Sequence, residues 1–187
     1  MSKNLASLIF DTMGIFWTMK YENEKDRQLL DEWQLEKKSL PIKIFVPFGK
    51  VEEYKKKNIP LDDTFAIKIS ELEAEDWISL FNLPFTSLPA VLMQRIITDL
   101  KSKLNEFTLE DVHFAIEHDR SSSQDTKEIA SSLFLAADNW GIFSKTKEGT
   151  EIKDLITPGT TTILDTSVYS SIGVYNIRAL VISLICK

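Results

Sequence analysis

LASLIFDTMGIFW, residues 5–17, joins an apolar run to an acid and then, after two further residues, to a glycine. The nearly continuous apolarity of residues 5–10 is typical of a strand that is covered on both faces in a parallel sheet. In an open parallel sheet, ligands bind in the crevice beyond the carboxyl ends of the strands. Because Asp11 directly follows the run, we expect its carboxylate to lie at the edge of the sheet where chemistry takes place.

Two more apolar runs, residues 42–46 and 65–69, follow in the first part of the chain and predict two more strands. Charged stretches at 24–38 and 51–57, each able to form a helix, separate the three runs. Alternation of strands and helices favours parallel βαβ units over hairpins. The sequence therefore predicts an α/β fold with a mainly parallel sheet and crossover helices.

The middle of the chain has helical periodicity. Ser70-Glu-Leu-Glu73 and Thr108-Leu-Glu-Asp111 are each typical of a helix N-terminus with a capping box. Apolar residues recur at helical spacing in three stripes: Leu88, Val91, Leu92, Ile96, Leu100 and Leu104; Leu109, Val112 and Ile116; Ile129, Leu133, Ala137 and Trp140. We predict a bundle of about four helices, inserted at 84–143 into an α/β core made of 1–83 and 144–187. Four of its side chains are expected to be buried: Leu92, Ile96, Leu133 and Trp140.

After the insertion, residues 160–165 predict a strand that ends in Asp165, and the nearly all-apolar residues 172–185 predict a buried helix. Asp165 lies two residues before Ser167, a pattern typical of a helix N-cap, so a structural role is favoured over a catalytic one. The apolar helix ends without a capping residue. We therefore expect that the natural chain continues and that this sequence is a fragment.

Composition limits the classes of protein to which this chain can belong. A chain of 187 residues is long enough for one domain with an insertion, and its net charge of -6 argues against a surface that binds nucleic acid everywhere. The single cysteine, Cys186, excludes an intrachain disulfide and favours the reducing cytoplasm. No segment approaches the roughly 18 apolar residues of a membrane span. We expect a cytoplasmic protein with no membrane partner.

Two segments carry a resemblance to a known family. Asp11-Thr-Met-Gly14 resembles the Asp-x-x-Gly turn after the strand that follows the phosphate loop in HerA/FtsK-type hexameric P-loop ATPases. Residues 149–167 are similar to the Pro-Gly-led strand of that family, which ends in Asp-x-Ser. The resemblance covers both ends of the chain and is weak across the helical middle. It implies a RecA-like P-loop core, ATP and Mg²⁺ as cofactors, and a homo-oligomeric ring with helicase or translocase activity on duplex DNA.

The phosphate loop of that family, G-x-x-x-x-G-K-[ST], does not occur in the sequence. The Gly49-Lys50 pair cannot replace it, because Ile44 stands at the place of the first glycine and Val51 at the place of the hydroxyl residue. In the family the loop lies upstream of the Asp11 strand, and the strand with the water-activating glutamate lies downstream of residues 172–187. The resemblance thus implies a chain that is inactive alone and does not bind ATP and Mg²⁺ tightly.

The resemblance also implies a catalytic role for Asp11. Its carboxylate is expected near the γ-phosphate, where it orders the attacking water or the hydration shell of the magnesium ion. The alternative is that Asp11 only caps its own turn. The turn departs from the family pattern, which has a polar or acidic residue after the glycine, because Ile15 and Phe16 follow Gly14 here.

Other charged residues are weaker candidates. Arg178 is a possible arginine finger acting on a neighbouring subunit, as an arginine does in many hexameric ATPases. His113 and Glu117 lie four residues apart, but we interpret them as a solvated helix face and assign no metal ligand in the chain. The rival hypothesis for function is a non-catalytic module that uses the helical insertion to bind a protein partner.

Overall fold

The computed structural model describes residues 4–170 and 175–186. Their strands form one sheet in the order β1-β4-β2-β3, with every neighbouring pair parallel. The strands are β1 (Ser7–Asp11), β2 (Ile42–Pro47), β3 (Asp63–Phe65) and β4 (Thr161–Asp165). The predicted α/β class and parallel sheet are confirmed.

Eight α-helices surround this sheet in the described residues. They are α1 (Arg27–Glu32), α2 (Val51–Lys56), α3 (Ala74–Leu80), α4 (Leu88–Lys103), α5 (Leu109–His118), α6 (Gln124–Asn139), α7 (Ile152–Leu155) and α8 (Tyr175–Ile185). Short 3₁₀ helices occupy Phe16–Lys20, Phe48–Lys50, Ile69–Glu71 and Ser167–Tyr169. The predicted start of the last helix at 172 lies outside the described residues. Within these residues, no helix combines the length and apolarity needed to cross a membrane.

The third strand is shorter than its apolar run predicts. It ends at Phe65, and the main chain of Ile67 bonds instead to Ile142 O and Ser144 N, both at 2.8 Å. Ile67 thus pairs with the segment that follows α6 rather than with β2. Residues 65–69 are mostly apolar because they are buried in the core, and both the strand and the following 3₁₀ helix are buried there. Periodicity alone therefore could not locate the end of the strand.

Apolar side chains cover the sheet on both faces. The larger core packs α3 to α6 and α8 against one face, and Trp77 lies at its centre. The smaller core packs Ile44 and Val46 of β2 and Ile163 of β4 against Tyr54 of α2. Burial on both faces is the physical reason for the continuous apolar runs that predicted these strands.

The helical insertion shares its core with the sheet. Helix α4 packs against α3, α5 and α6, although α3 precedes the predicted boundary at residue 84. The capping box of α5 is confirmed, because Thr108 N donates to Asp111 Oδ2 at 2.8 Å. The box predicted at Ser70 is wrong: the cap lies three residues later, where Glu73 N donates to Asp76 Oδ2 at 2.9 Å.

One helix face differs from its prediction. Leu92 and Ile96 of α4 are buried as expected, but Leu133 and Trp140 are only half-buried. The buried face of α6 is rotated by one residue, and its largest side chain is Phe134, whose ring centroid lies 4.9 Å from that of Trp77. Leu133 and Phe134 are adjacent apolar residues, so the sequence does not show which of them faces the core. Packing against Trp77 buries Phe134.

Two leucines of the insertion provide a matched test of this core. Leu92 is 1% exposed and Leu135 is 58% exposed. We predict that Leu92→Ala lowers the free energy of unfolding by about 2–5 kcal/mol, because it removes buried methyl groups and leaves a cavity. Leu135→Ala should change it by about 0.5 kcal/mol or less. Urea denaturation followed by circular dichroism measures both, and equal losses would contradict the described orientation of the helices.

Candidate functional site

The candidate site lies at the carboxyl ends of β1 and β4. These strands pair in register, which places Asp11 directly opposite Asp165. Asp11 is 1% exposed and Asp165 is fully buried. The two segments that carry the family resemblance come from opposite parts of the chain, and the sheet brings them side by side. The sequence predicted an acid at the end of each strand, but not that the two acids are neighbours.

The carboxylate of Asp11 organises the turn that follows it. Its Oδ1 accepts hydrogen bonds from Met13 N at 3.1 Å and Gly14 N at 2.7 Å. Its Oδ2 accepts from Ile15 N at 2.8 Å and Phe16 N at 2.9 Å. Both oxygens are therefore engaged with main-chain donors of the same turn. This geometry supports the capping interpretation of Asp11, and the catalytic role stays a prediction.

Two longer side chains tie the same turn to its surroundings. Trp17 Nε1 donates to Gly14 O at 2.9 Å, and Arg178 Nη1 of α8 donates to Thr12 O at 3.1 Å. Arg178 therefore reaches the candidate site of its own chain, a placement that its sequence context did not indicate. Its action on a neighbouring subunit stays a prediction.

Asp165 has a different environment from Asp11. Its Oδ1 accepts from Tyr54 OH at 2.9 Å and from Ser167 N at 2.8 Å, whereas its buried Oδ2 has no hydrogen-bond partner among the described residues. Burial raises the pKa of Asp165, and the nearby charge of Asp11 acts in the same direction, against the hydrogen bonds from Ser167 and Tyr54. Asp165 is not the predicted N-cap, because Thr166 occupies the cap position of the following 3₁₀ helix.

Gly14 brings the turn against the end of β4. Its φ of +70° lies in the left-handed region that favours glycine. A Cβ placed on Gly14 would lie 2.6 Å from Ser167 Oγ and 3.8 Å from Asp165 Oδ2. The glycine is thus required both by its backbone conformation and by the close approach of the two strand ends.

Tyr54 is a site residue that the sequence analysis missed. Its single hydroxyl proton is shared between two acceptors of Asp165, Oδ1 at 2.9 Å and the main-chain O at 3.2 Å. Burial is the main cause that raises the pKa of Tyr54. The available signal was weak: Tyr54 is the one aromatic residue of α2 and lies three positions after Val51, and the other four side chains of the helix are charged. That spacing marks the face of the helix that packs on the sheet.

Gly49 of the Gly49-Lys50 pair packs closely against the main chain of Gly141. Gly49 N donates to Gly141 O at 2.9 Å, and a Cβ on Gly49 would lie only 2.5 Å from Gly141 Cα. Lys50 pairs with Glu53 on the next turn, with Nζ and Oε1 2.9 Å apart. The glycine therefore permits the end of β2 to meet the end of the helical insertion.

Both histidines lie on α5. The His113 ring is 6.4 Å from that of Phe134, edge to face, and the His118 ring stacks on Phe114 at 3.9 Å. Within residues 4–170 and 175–186, no group of three or more His, Cys, Asp or Glu side chains is arranged to hold a metal ion.

No protein-family model matches the sequence, and no curated protein matches it. The geometry of the strand ends therefore carries the functional argument.

Proposed function

We propose that this chain is the central part of a HerA/FtsK-type ATPase core, in which a ring of subunits couples ATP hydrolysis to the movement of duplex DNA. The observation that carries the proposal is the pairing of β1 with β4 in register. The Asp-x-x-Gly turn and the Asp-x-Ser turn, each of which resembles a segment of that family, share one edge of a parallel sheet. That edge is where an α/β fold binds its ligand.

The residues of this chain do not by themselves fit an ATP–magnesium complex. The sequence has no glycine-rich phosphate loop, and both carboxylate oxygens of Asp11 already accept main-chain hydrogen bonds. In the proposal the turn forms one wall of the site, and the phosphate loop and the water-activating acid belong to parts of the protein outside this chain. Phosphoryl transfer depends on such rigid positioning of groups around the reacting phosphate.

The isolated chain is predicted not to bind ATP. Phosphate affinity in this class comes mainly from the main-chain amides and the lysine of the loop that the sequence lacks. A titration with a fluorescent ATP analogue and Mg²⁺ should give no saturable signal beyond that of an unrelated protein of similar charge. Saturable binding with a micromolar dissociation constant would contradict the proposal and require an unconventional nucleotide site.

The coding sequence on either side of residues 1–187 tests the proposal directly. An in-frame G-x-x-x-x-G-K-[ST] a few tens of residues upstream, together with an acidic strand downstream, would support the ATPase core. A start codon and a stop codon at the two ends of this chain would contradict it.

The rival, a non-catalytic module that binds a protein partner, has one observation in its favour. Phe114 on α5 and Ile129 and Leu135 on α6 are large apolar side chains exposed on the helical insertion. Exposed apolar residues on adjacent helices are a common feature of protein-binding surfaces. The same reading of the flanking codons separates the two candidates, since a self-sufficient module needs no phosphate loop.

A further inference from the structure

One buried oxygen at the strand ends is left without a partner. Asp165 is fully buried, and its Oδ2 forms no hydrogen bond with the described residues. The other oxygen of the same carboxyl group has two donors, Tyr54 OH and Ser167 N. A buried carboxylate oxygen that carries charge without a donor is strongly unfavourable. The geometry therefore requires something on Oδ2 that reduces its charge.

Groups from β1, from α2 and from the turn after β1 lie around Asp165. Asp11 faces Asp165 from β1 in register, and Tyr54 binds it from α2. Gly14 of the turn at 12–16 lies nearby, since a Cβ on it would be 3.8 Å from Asp165 Oδ2 and 2.6 Å from Ser167 Oγ. Arg178 of α8 reaches this turn through its bond to Thr12 O. Burial raises the pKa of Asp165 and so favours its uncharged form, and the charge of Asp11 acts in the same direction, against the hydrogen bonds from Ser167 and Tyr54.

We propose that Asp165 is held as the neutral acid with its proton on Oδ2, and that loss of this proton to solvent loosens the turn at residues 12–16. Ionisation would place a second negative charge next to the Asp11 carboxylate in a region of low dielectric constant, where like charges repel strongly. The turn lies against this end of β4 at Gly14, so its displacement would let water reach the new charge. The strand ends thus contain a pH-sensitive latch, which does not depend on the ATPase proposal.

The direction of the effect follows from the raised pKa of Asp165, whose main cause is burial. When the pKa of a carboxyl group is higher in the folded state than in the unfolded state, its contribution to stability is fully present at pH values below the unfolded pKa. This contribution is lost as the pH rises through the folded pKa. The latch is therefore closed in acid and weakens towards neutral and alkaline pH.

Hydrogen exchange of four amides tests the latch. They are the donors to Asp11: Met13, Gly14, Ile15 and Phe16. After correction for intrinsic exchange rates, their protection in the wild-type chain should fall about tenfold or more as the pH rises through the titration midpoint of Asp165. Asp165→Asn, which keeps the shape without the titration, should remove this fall, and Asp31→Asn, at an exposed acid of α1, should retain it. The same pH dependence in wild type and Asp165→Asn would overturn the proposal.

A second measurement needs no variant. Carbon-13 NMR of the side-chain carboxyl groups of the wild-type chain gives the titration midpoint of Asp165. The expected midpoint lies above the ordinary value of 3.8. A midpoint at or below that value would overturn the proposal. A midpoint that falls to the ordinary value when MgCl₂ is added would also overturn it, by identifying a cation rather than a proton as the partner of Oδ2.

Discussion

Asp11→Asn is expected to destabilise the fold by about 3 kcal/mol, because hydrogen bonds to a charged group contribute about 1.5–3 kcal/mol each. In the structure each carboxylate oxygen accepts two main-chain N–H groups. An amide side chain replaces one oxygen by an NH₂ group, which cannot accept. Two main-chain donors therefore lose their acceptor and face another donor instead. Asn is a good substitute for Asp at a cap with a single bond, but not at this turn.

Urea denaturation at neutral pH measures the loss, and Asp31→Asn removes an exposed acid as the matched control. The control should change the free energy of unfolding by about 0.5 kcal/mol or less. If Asp11→Asn were as mild as the control, the four-bond turn could not be a main stabilising feature of the strand end.

Under the ATPase proposal, the same substitution distinguishes the two roles of Asp11 in a chain extended to include the phosphate loop and the downstream acidic strand. If the carboxylate orders the attacking water or the magnesium hydration shell, turnover should fall by about 10²-fold while nucleotide binding survives. Steady-state ATP hydrolysis is measured well below the melting temperature of the variant, so that both proteins are folded. Unchanged turnover in a folded variant would leave Asp11 as the cap of its turn alone.

Trp77→Ala is expected to lower the free energy of unfolding by about 4 kcal/mol, within the range for large aromatic residues in a core. Trp77 is fully buried, and its ring centroid lies 4.9 Å from those of both Phe134 and Phe143. It thereby joins α3 to α6 and to the segment that follows α6. Its removal leaves a cavity where the helical insertion meets the sheet.

Two companion variants sharpen this test. Trp33→Ala removes a ring that is 72% exposed and should be nearly neutral. Trp77→Phe should cost clearly less than Trp77→Ala, because it retains an aromatic ring and removes an indole N–H that has no partner among the described residues. Circular dichroism in urea follows all three. Similar losses for Trp77→Ala and Trp33→Ala would contradict the central position of Trp77.

The local features of the fold could be predicted from the sequence. The apolar runs located β1, β2 and β4, and the box at Thr108 located the start of α5. These signals depend on residues close in the chain, since strand burial, capping and turn chemistry act over a few positions. The face of α6 and the end of β3 could not be predicted in this way, because neighbouring apolar residues compete for the same core.

By itself, the sequence determined that two acids follow apolar strands and that a glycine follows the first of them. Only the tertiary structure decided that Asp11 and Asp165 are neighbours and that Tyr54 binds Asp165. It also left Asp165 Oδ2 without a hydrogen-bond partner among the described residues. The reason is physical: strands from opposite parts of the chain pair through long-range packing of the whole sheet. The charge state of a buried acid then depends on groups that the chain order does not bring together.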